Sequence, residues 1–248
     1  MNKKYTNLSL KNIYKSKSLK SEVTSQIIYG ENFLILKKFS KWLKIKTLND
    51  NYIGFIINRK YLNIQKPSKK IFVLKSKVYE KFNGKFRAKK NLFLSFSSRI
   101  QVKEKYQNYL LIDKNMWVKS STTKDLKHNM NFIKVLKLFL NCKYKWGGKT
   151  FDGIDCSALI QIYYTYNNLF FPRDTSKQIN YKKNIKRNNS YKKGDIIFWK
   201  GHVAVCINSK KLIHAYGPKK KVLIMPIEKT INLIEKTANL KVKKICRI

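Results

Sequence analysis

The stretch DGIDCSALIQIYY, residues 152–164, decides how the carboxy-terminal half of the chain is interpreted. In it, Cys156 stands between Asp155 and Ser157, after a glycine turn and directly before an apolar run that can form a helix. The first N–H groups of a helix lack intrahelical partners, and the helix dipole is positive at that end. Both effects stabilise a thiolate and lower the pKa of a thiol. Cys156 is therefore a candidate nucleophile, and the alternative is a small core residue.

A thiol nucleophile needs a base, and the chain has three histidines: His128, His202 and His214. His128 lies on a polar segment and is expected to be solvated. The other two lie on predicted strands joined by a tight connection, so they should share a face as diagonal neighbours, about 7–8 Å apart. This arrangement predicts a catalytic set in which His202 is the base and His214 orients it. Two ordinary half-buried strand histidines are the alternative.

The chain divides into segments of different character. Residues 1–18 are polar and basic and predict a flexible arm. Residues 19–65 contain short apolar pieces separated by turn residues, too closely spaced for helices, which predicts a small antiparallel β-barrel. Residues 66–120 repeat this pattern less clearly and predict a second small β-domain. Residues 121–248 place two helical periods before a series of strands, which predicts an α+β domain with an antiparallel sheet.

The composition limits the partners and cofactors that the chain is expected to have. Lysine and arginine number 55 against 13 aspartates and glutamates, a formal charge of +42. Such a charge suggests either a polyanionic partner or A/T-rich codon usage. The lysines are spread over the whole chain, which favours codon usage and no specific nucleic acid partner. The cysteines and histidines have no zinc-site spacing, so no metal and no cofactor are expected.

The amino-terminal residues and the hydropathy of the chain indicate the expected cellular localisation. The first twenty residues have neither an apolar core nor a small-residue cleavage site of the kind that signal peptides carry. No run of 18 apolar residues occurs, so no transmembrane helix and no membrane partner are expected. We therefore expect a cytoplasmic protein, and a monomer.

Four ordered motifs carry a resemblance to a known family: YKWGGKTFDGIDCSALIQ, FPRDTSKQ, KKGDIIFWKGHVAV and LIHAYG. Through them the chain resembles the NlpC/P60 family of bacterial cysteine peptidases, over about 130 residues from position 121. The resemblance implies a papain-like α+β core. It also implies that Cys156 is the nucleophile, His202 the base and His214 the orienting residue, with substrates drawn from peptidoglycan peptides.

The amino-terminal half is similar to the first SH3-like domain of the dipeptidyl-peptidase VI subgroup, whose members are γ-D-glutamyl-L-diamino acid endopeptidases acting on free peptides with an amino-terminal L-Ala. The resemblance implies that several residues shape the substrate pocket: Tyr144, Asp155, Ser157, Asp174, Thr175 and, from the SH3-like domain, Glu31 and Tyr52. A carboxylate such as Glu31 suits a free ammonium. The alternatives are a turn residue for Glu31, a core residue for Tyr52 and a helix cap for Asp174.

The function that we expect is hydrolysis of the γ-D-Glu–diamino acid bond of L-Ala-γ-D-Glu-diaminopimelate in peptidoglycan recycling. Three alternatives stay open. One is an exported hydrolase that acts on intact peptidoglycan. Another is a non-enzymatic basic SH3-like binding module. The last is acyl transfer or amidase chemistry on another amide, because a fold does not determine its substrate.

Overall fold

The computed structural model describes residues 3–63, 66–181, 183–185 and 190–248. The chain forms two compact units, Met1–Asn129 and Met130–Ile248. None of the helices in the described ranges combines the length and the apolar character that crossing a bilayer requires.

The first part of the amino-terminal unit is a seven-stranded antiparallel sheet in the order β3-β2-β6-β5-β4-β1-β7. Its strands are β1 (Lys3–Tyr5), β2 (Leu10–Tyr14), β3 (Val23–Ile28), β4 (Asn32–Lys38), β5 (Trp42–Thr47), β6 (Ile53–Ile57) and β7 (Leu62–Asn63). Strand β5 shows why the sheet forms, because Leu43 and Ile45 are buried in the core while Lys44 and Lys46, which alternate with them, are only partly buried.

The flexible arm that we expected at residues 1–18 is wrong for the described part of that segment. Strand β1 pairs with β4 and β7, and β2 pairs with β3 and β6. Within β2, Ile13 is fully buried in the core of the sheet. Backbone pairing with distant strands orders a segment whose local composition is polar.

The second part of the amino-terminal unit consists of a five-stranded sheet, β10-β9-β14-β13-β12, and a three-stranded sheet, β11-β8-β15. The strands are β8 (Lys69–Ile71), β9 (Lys75–Phe82), β10 (Lys85–Ser95), β11 (Arg99–Ile100), β12 (Glu104–Tyr106), β13 (Tyr109–Asp113), β14 (Met116–Lys119) and β15 (Thr123–Asp125). Tyr29, which follows β3, is fully buried in the core of this second part, and its hydroxyl donates to the carbonyl of Ile112 over 3.4 Å. The two β parts therefore form one compact unit.

The carboxy-terminal unit has the α+β architecture that we expected. Its central sheet has the order β21-β20-β19-β18-β22 and is antiparallel throughout. The elements are α1 (Phe132–Leu138), β16 (Lys149–Thr150), β17 (Gly153–Ile154), α2 (Cys156–Tyr166), α3 (Thr175–Tyr181), β18 (Asp195–Trp199), β19 (His202–Cys206), β20 (Lys211–Tyr216), β21 (Lys221–Pro226), α4 (Ile227–Ala238) and β22 (Lys244–Arg247).

Two helices of this unit position the candidate site. Helix α2 packs against β19 and β20, and all but one of its residues are buried, so it is a core helix. Helix α4 is amphipathic, and its Ile227 and Ile234 join a core cluster with Trp199 and Ala204 of the sheet. The start of α2 and the start of β19 are thereby held by rigid elements.

Candidate active site

Cys156 is the first residue of α2, and its side chain is 4% exposed. Its Sγ lies 4.0 Å from the carbonyl oxygen of Gly201 and accepts a hydrogen bond from the backbone N–H of Val203. These two residues flank His202, so the thiol lies against the backbone on both sides of that histidine.

His202 and His214 lie on one face of the β19–β20 hairpin. The pairing of Val205 with Ile213 and of Cys206 with Leu212 makes the two histidines diagonal neighbours, as the spacing predicted. The distance from Nε2 of His202 to Nδ1 of His214 is 2.9 Å. Tyr216 stacks on the ring of His214, which is 1% exposed, with the ring centroids 4.8 Å apart. The pair is therefore held in one orientation by packing as well as by hydrogen bonding.

The protonation of the site differs from what the sequence predicts. Burial raises the pKa of the Cys156 thiol to about 12, and the carboxylate of Asp155 contributes in the same direction. The N–H of Val203, the guanidinium of Arg173 and the hydroxyl of Thr175 lower this pKa, but by less. Burial also lowers the pKa of His202 to about 4 and that of His214 to about 3. Burial therefore favours the neutral forms of the thiol and of both imidazoles over a thiolate–imidazolium pair.

This preference for the neutral forms predicts how Cys156 reacts with iodoacetamide. The thiolate fraction of a group with a raised pKa is small below pH 8 and grows about tenfold per pH unit, so the alkylation rate should keep rising beyond pH 9. The measurement is the rate of mass increase at Cys156 between pH 5 and pH 10, with Cys156→Ala as the background. A rate that is already constant from pH 5 to pH 8 would show a preformed thiolate–imidazolium pair instead.

A buried network that the sequence analysis missed holds the start of α2. Asp155 is the N-cap, and its Oδ1 accepts from the N–H of Ala158 over 2.8 Å. The guanidinium of Arg173 binds both oxygens of Asp155, at 3.0 and 2.6 Å, and donates to Oγ of Ser157 at 2.8 Å. Asp155 is 4% exposed and Arg173 2%. The sequence signal that could have pointed to Arg173 is its position directly after the apolar residues at 169–172, where a cation is expected to be partly buried.

The contacts of Asp155 and Ser157 bear on the pocket roles that the resemblance implies. Asp155 also accepts from the N–H of Gly147 at 2.9 Å and from the hydroxyl of Ser157 at 3.0 Å. With five donors on its two oxygens, Asp155 is engaged in holding the helix start. Ser157 is 6% exposed and belongs to the same network.

Of three other predicted pocket residues, Tyr144 and Thr175 lie close to Cys156, and Asp174 directly precedes Thr175. The hydroxyl of Thr175 hydrogen-bonds the thiol, and Tyr144 lies near enough to Cys156 and Asp155 for both to contribute to raising its pKa, although burial is the larger cause. Asp174 immediately precedes α3, and its carbonyl accepts from the N–H groups of Lys177 and Gln178. The structure thus brings Tyr144 and Thr175 to the thiol and places Asp174 at a helix start.

Glu31 and Tyr52 lie in the amino-terminal unit. The carboxylate of Glu31, 3% exposed, accepts from the N–H of Ile28 at 2.9 Å and from the side chain of Asn49 at 3.2 Å. Tyr52 is half-buried and packs against the core of the first sheet. These contacts fit a turn residue and a core residue, so a substrate role for either stays a prediction.

All four cysteines are free thiols. Among the residues that the structure describes, no group of three or more His, Cys, Asp or Glu side chains is arranged to hold a metal ion.

Comparison with known proteins agrees with this geometry. Residues 141–237 match the model of the NlpC/P60 family. The chain is 31% identical to dipeptidyl-peptidase 6 of Lysinibacillus sphaericus over 85 residues, 34% of this chain and 31% of that protein. It is 21% identical to the γ-D-glutamyl-L-lysine dipeptidyl-peptidase of Bacillus cereus (strain ATCC 10987 / NRS 248) over 238 residues, 84% of this chain and 71% of that protein. The match thus spans about a third of the first relative.

The fold is also that of a solved structure. The crystal structure of an NlpC/P60 family protein from Bacillus cereus ATCC 10987 superposes with a TM-score of 0.82, covers 99% of both chains and is 17% identical. At that identity the likeness bears on the fold, and the match at residues 141–237 bears on the family. The carboxy-terminal unit thus contains, at residues 141–237, an NlpC/P60 domain, the domain of a family of cysteine peptidases.

Proposed function

We propose that this chain hydrolyses the γ-D-Glu–diamino acid bond of free murein peptides such as L-Ala-γ-D-Glu-diaminopimelate, in peptidoglycan recycling. The observation that carries the proposal is the Cys156 thiol at the start of α2, against the backbone that flanks His202, with His214 2.9 Å from that ring. The name of the Bacillus cereus relative, γ-D-glutamyl-L-lysine dipeptidyl-peptidase, supports the choice of a bond between γ-D-Glu and a diamino acid.

The hydrogen bonds around His202 determine which tautomers this chemistry needs. Nε2 of His202 faces His214, so Nδ1 is the nitrogen left to accept the thiol proton. His202 must then carry its hydrogen on Nε2 and donate it to Nδ1 of His214. His214 in turn carries its hydrogen on Nε2, which lies 3.4 Å from the sulfur of Met225, a weak acceptor. His214 thereby holds His202 in the tautomer of a base.

The reaction follows from these positions. Because burial favours the neutral form of both partners, Nδ1 of His202 takes the thiol proton as the sulfur of Cys156 attacks the γ-carbonyl carbon of D-Glu. The negative charge on the carbonyl oxygen is met by the backbone N–H of Cys156 at the first position of α2. The carbon–nitrogen bond breaks, and His202 returns the proton to the leaving amine. Water, deprotonated by His202, then hydrolyses the thioester and restores the thiol.

The test of this function compares three substrates: the free tripeptide L-Ala-γ-D-Glu-diaminopimelate, its N-acetylated form and intact peptidoglycan, with products read by mass spectrometry. We expect L-Ala-γ-D-Glu and diaminopimelate from the free tripeptide. Acetylation should lower kcat/KM about 10–100-fold, the loss expected when a charge-assisted hydrogen bond to the ammonium is removed.

The other outcomes separate the remaining functions. Equal cleavage of the acetylated peptide, together with release of fragments from intact peptidoglycan, would instead support a cell-wall hydrolase. Absence of cleavage of all three substrates by a folded preparation would overturn the proposal. Cys156→Ala is the control for contaminating activity.

A further inference from the structure

A cavity of about 510 Å³ opens beside His202 within the carboxy-terminal unit. One wall is apolar and comes from α4, where Leu233 and Ile234 face it. Two cationic residues also line it, Lys200 from the turn before β19 and Lys219 from the connection between β20 and β21. No acidic side chain occurs among the described residues that line the cavity.

The position of the cavity relative to the reacting groups identifies which part of a peptide it can hold. Among the described residues, its lining includes His202 and Tyr144 but neither Cys156 nor Ser157. In amide hydrolysis by a thiol, the imidazole that accepts the thiol proton must return it to the departing nitrogen. The amine product is therefore on the imidazole side of the sulfur. The cavity borders this imidazole, which is where the amine product departs.

We propose that this cavity binds the diamino acid that leaves as the amine product, and that it selects a side chain ending in a carboxylate over one ending only in an ammonium. The proposal rests on the proposed function and adds the class of residue accepted after the scissile bond. A diaminopimelate side chain offers methylene groups to Leu233 and Ile234 and a carboxylate to Lys200 and Lys219. A lysine side chain would bring a third ammonium to a lining without a carboxylate.

The charges set the size of the effect. Both lysines are exposed, so each ion pair with the carboxylate should contribute only about threefold in affinity. Two such pairs give about a tenfold preference, and this preference should weaken with added salt because exposed charges are screened.

The experiment measures kcat/KM for L-Ala-γ-D-Glu-meso-diaminopimelate and L-Ala-γ-D-Glu-L-lysine. The wild-type chain should prefer the diaminopimelate peptide by about tenfold in kcat/KM. Lys200→Gln/Lys219→Gln should abolish this preference, mainly by slowing cleavage of the diaminopimelate peptide. The matched control is Lys210→Gln/Lys211→Gln, which removes two exposed lysines at the opposite end of β19 and should keep the wild-type ratio.

The outcomes distinguish this inference from the proposed function. A wild-type preference for the lysine peptide, or an unchanged ratio in Lys200→Gln/Lys219→Gln, would overturn the role of the cavity while leaving the peptidase function standing. If neither peptide is cleaved, the peptidase function fails. Calorimetric binding of both peptides to Cys156→Ala then decides on the cavity, and equal affinities or tighter binding of the lysine peptide would refute it.

Discussion

Replacing Cys156 by alanine is expected to lower kcat/KM for the free tripeptide by at least about 10⁴-fold, because a nucleophile and its base act as one unit. The fold should change little, since the substitution removes a single sulfur atom at a position whose cap and helix are held by Asp155 and Arg173. The measurement is product formation by mass spectrometry, together with circular dichroism of the variant.

Three further variants test whether the loss of activity in Cys156→Ala comes from removal of the nucleophile. Cys142→Ala removes another buried thiol of the same unit and should retain activity. His202→Ala should be about as severe as Cys156→Ala, whereas His214→Ala should lose less because it only orients the base. Turnover of the tripeptide by purified Cys156→Ala at a rate close to wild type would refute the nucleophile assignment.

Arg173→Met is expected to lower the free energy of unfolding of the carboxy-terminal unit by about 3–5 kcal/mol, because it leaves the Asp155 carboxylate buried without its cation. The ion pair is the shortest contact of the network, 2.6 Å, and both side chains are almost fully buried. Activity should fall as well, since the same carboxylate caps the helix that begins with Cys156.

All four cysteines lie in the carboxy-terminal unit, so the exposure of Cys206 and Cys246 to a thiol reagent in increasing urea reports on that unit alone. Asp155→Asn/Arg173→Met should be less destabilised than Arg173→Met, because asparagine keeps the cap and removes the unpaired charge. Lys241→Met, which breaks an exposed pair with Glu235, is the control and should cost less than about 1 kcal/mol. If Arg173→Met lowered the free energy of unfolding by no more than Lys241→Met does, the role of the buried pair would be contradicted.

Several features of the site could be predicted because they depend on near neighbours in the chain. The start of α2 follows from the glycine turn and the apolar run on either side of Cys156, a signal confined to a few residues. The juxtaposition of His202 and His214 follows from the alternation of side chains on two strands joined by a tight connection. Both patterns are local, so neither needs information from distant parts of the chain.

Other features could not be predicted for the same physical reason. The strands within residues 3–14 form because β4 and β6 offer backbone partners, which the polar composition of that segment does not reveal. Helix α4 was not predicted, although its Ile227 and Ile234 have helical spacing, because no turn residues separate β21 from the start of α4. Arg173 lies 18 residues from Asp155, and only the folded chain brings the two side chains together.

By itself, the sequence determined the reactive groups and the secondary structure that carries them: a thiol at the first position of a helix and two imidazoles on one face of a hairpin. The tertiary structure alone decided the direction of their pKa shifts. Desolvation depends on which distant segments surround a group. Here it raises the pKa of Cys156, against the opposing influence of the helix start, and lowers the pKa of His202. The same long-range packing decided that Asp155 would bind Arg173, since a buried carboxylate requires a cation that its own neighbours in the chain do not supply.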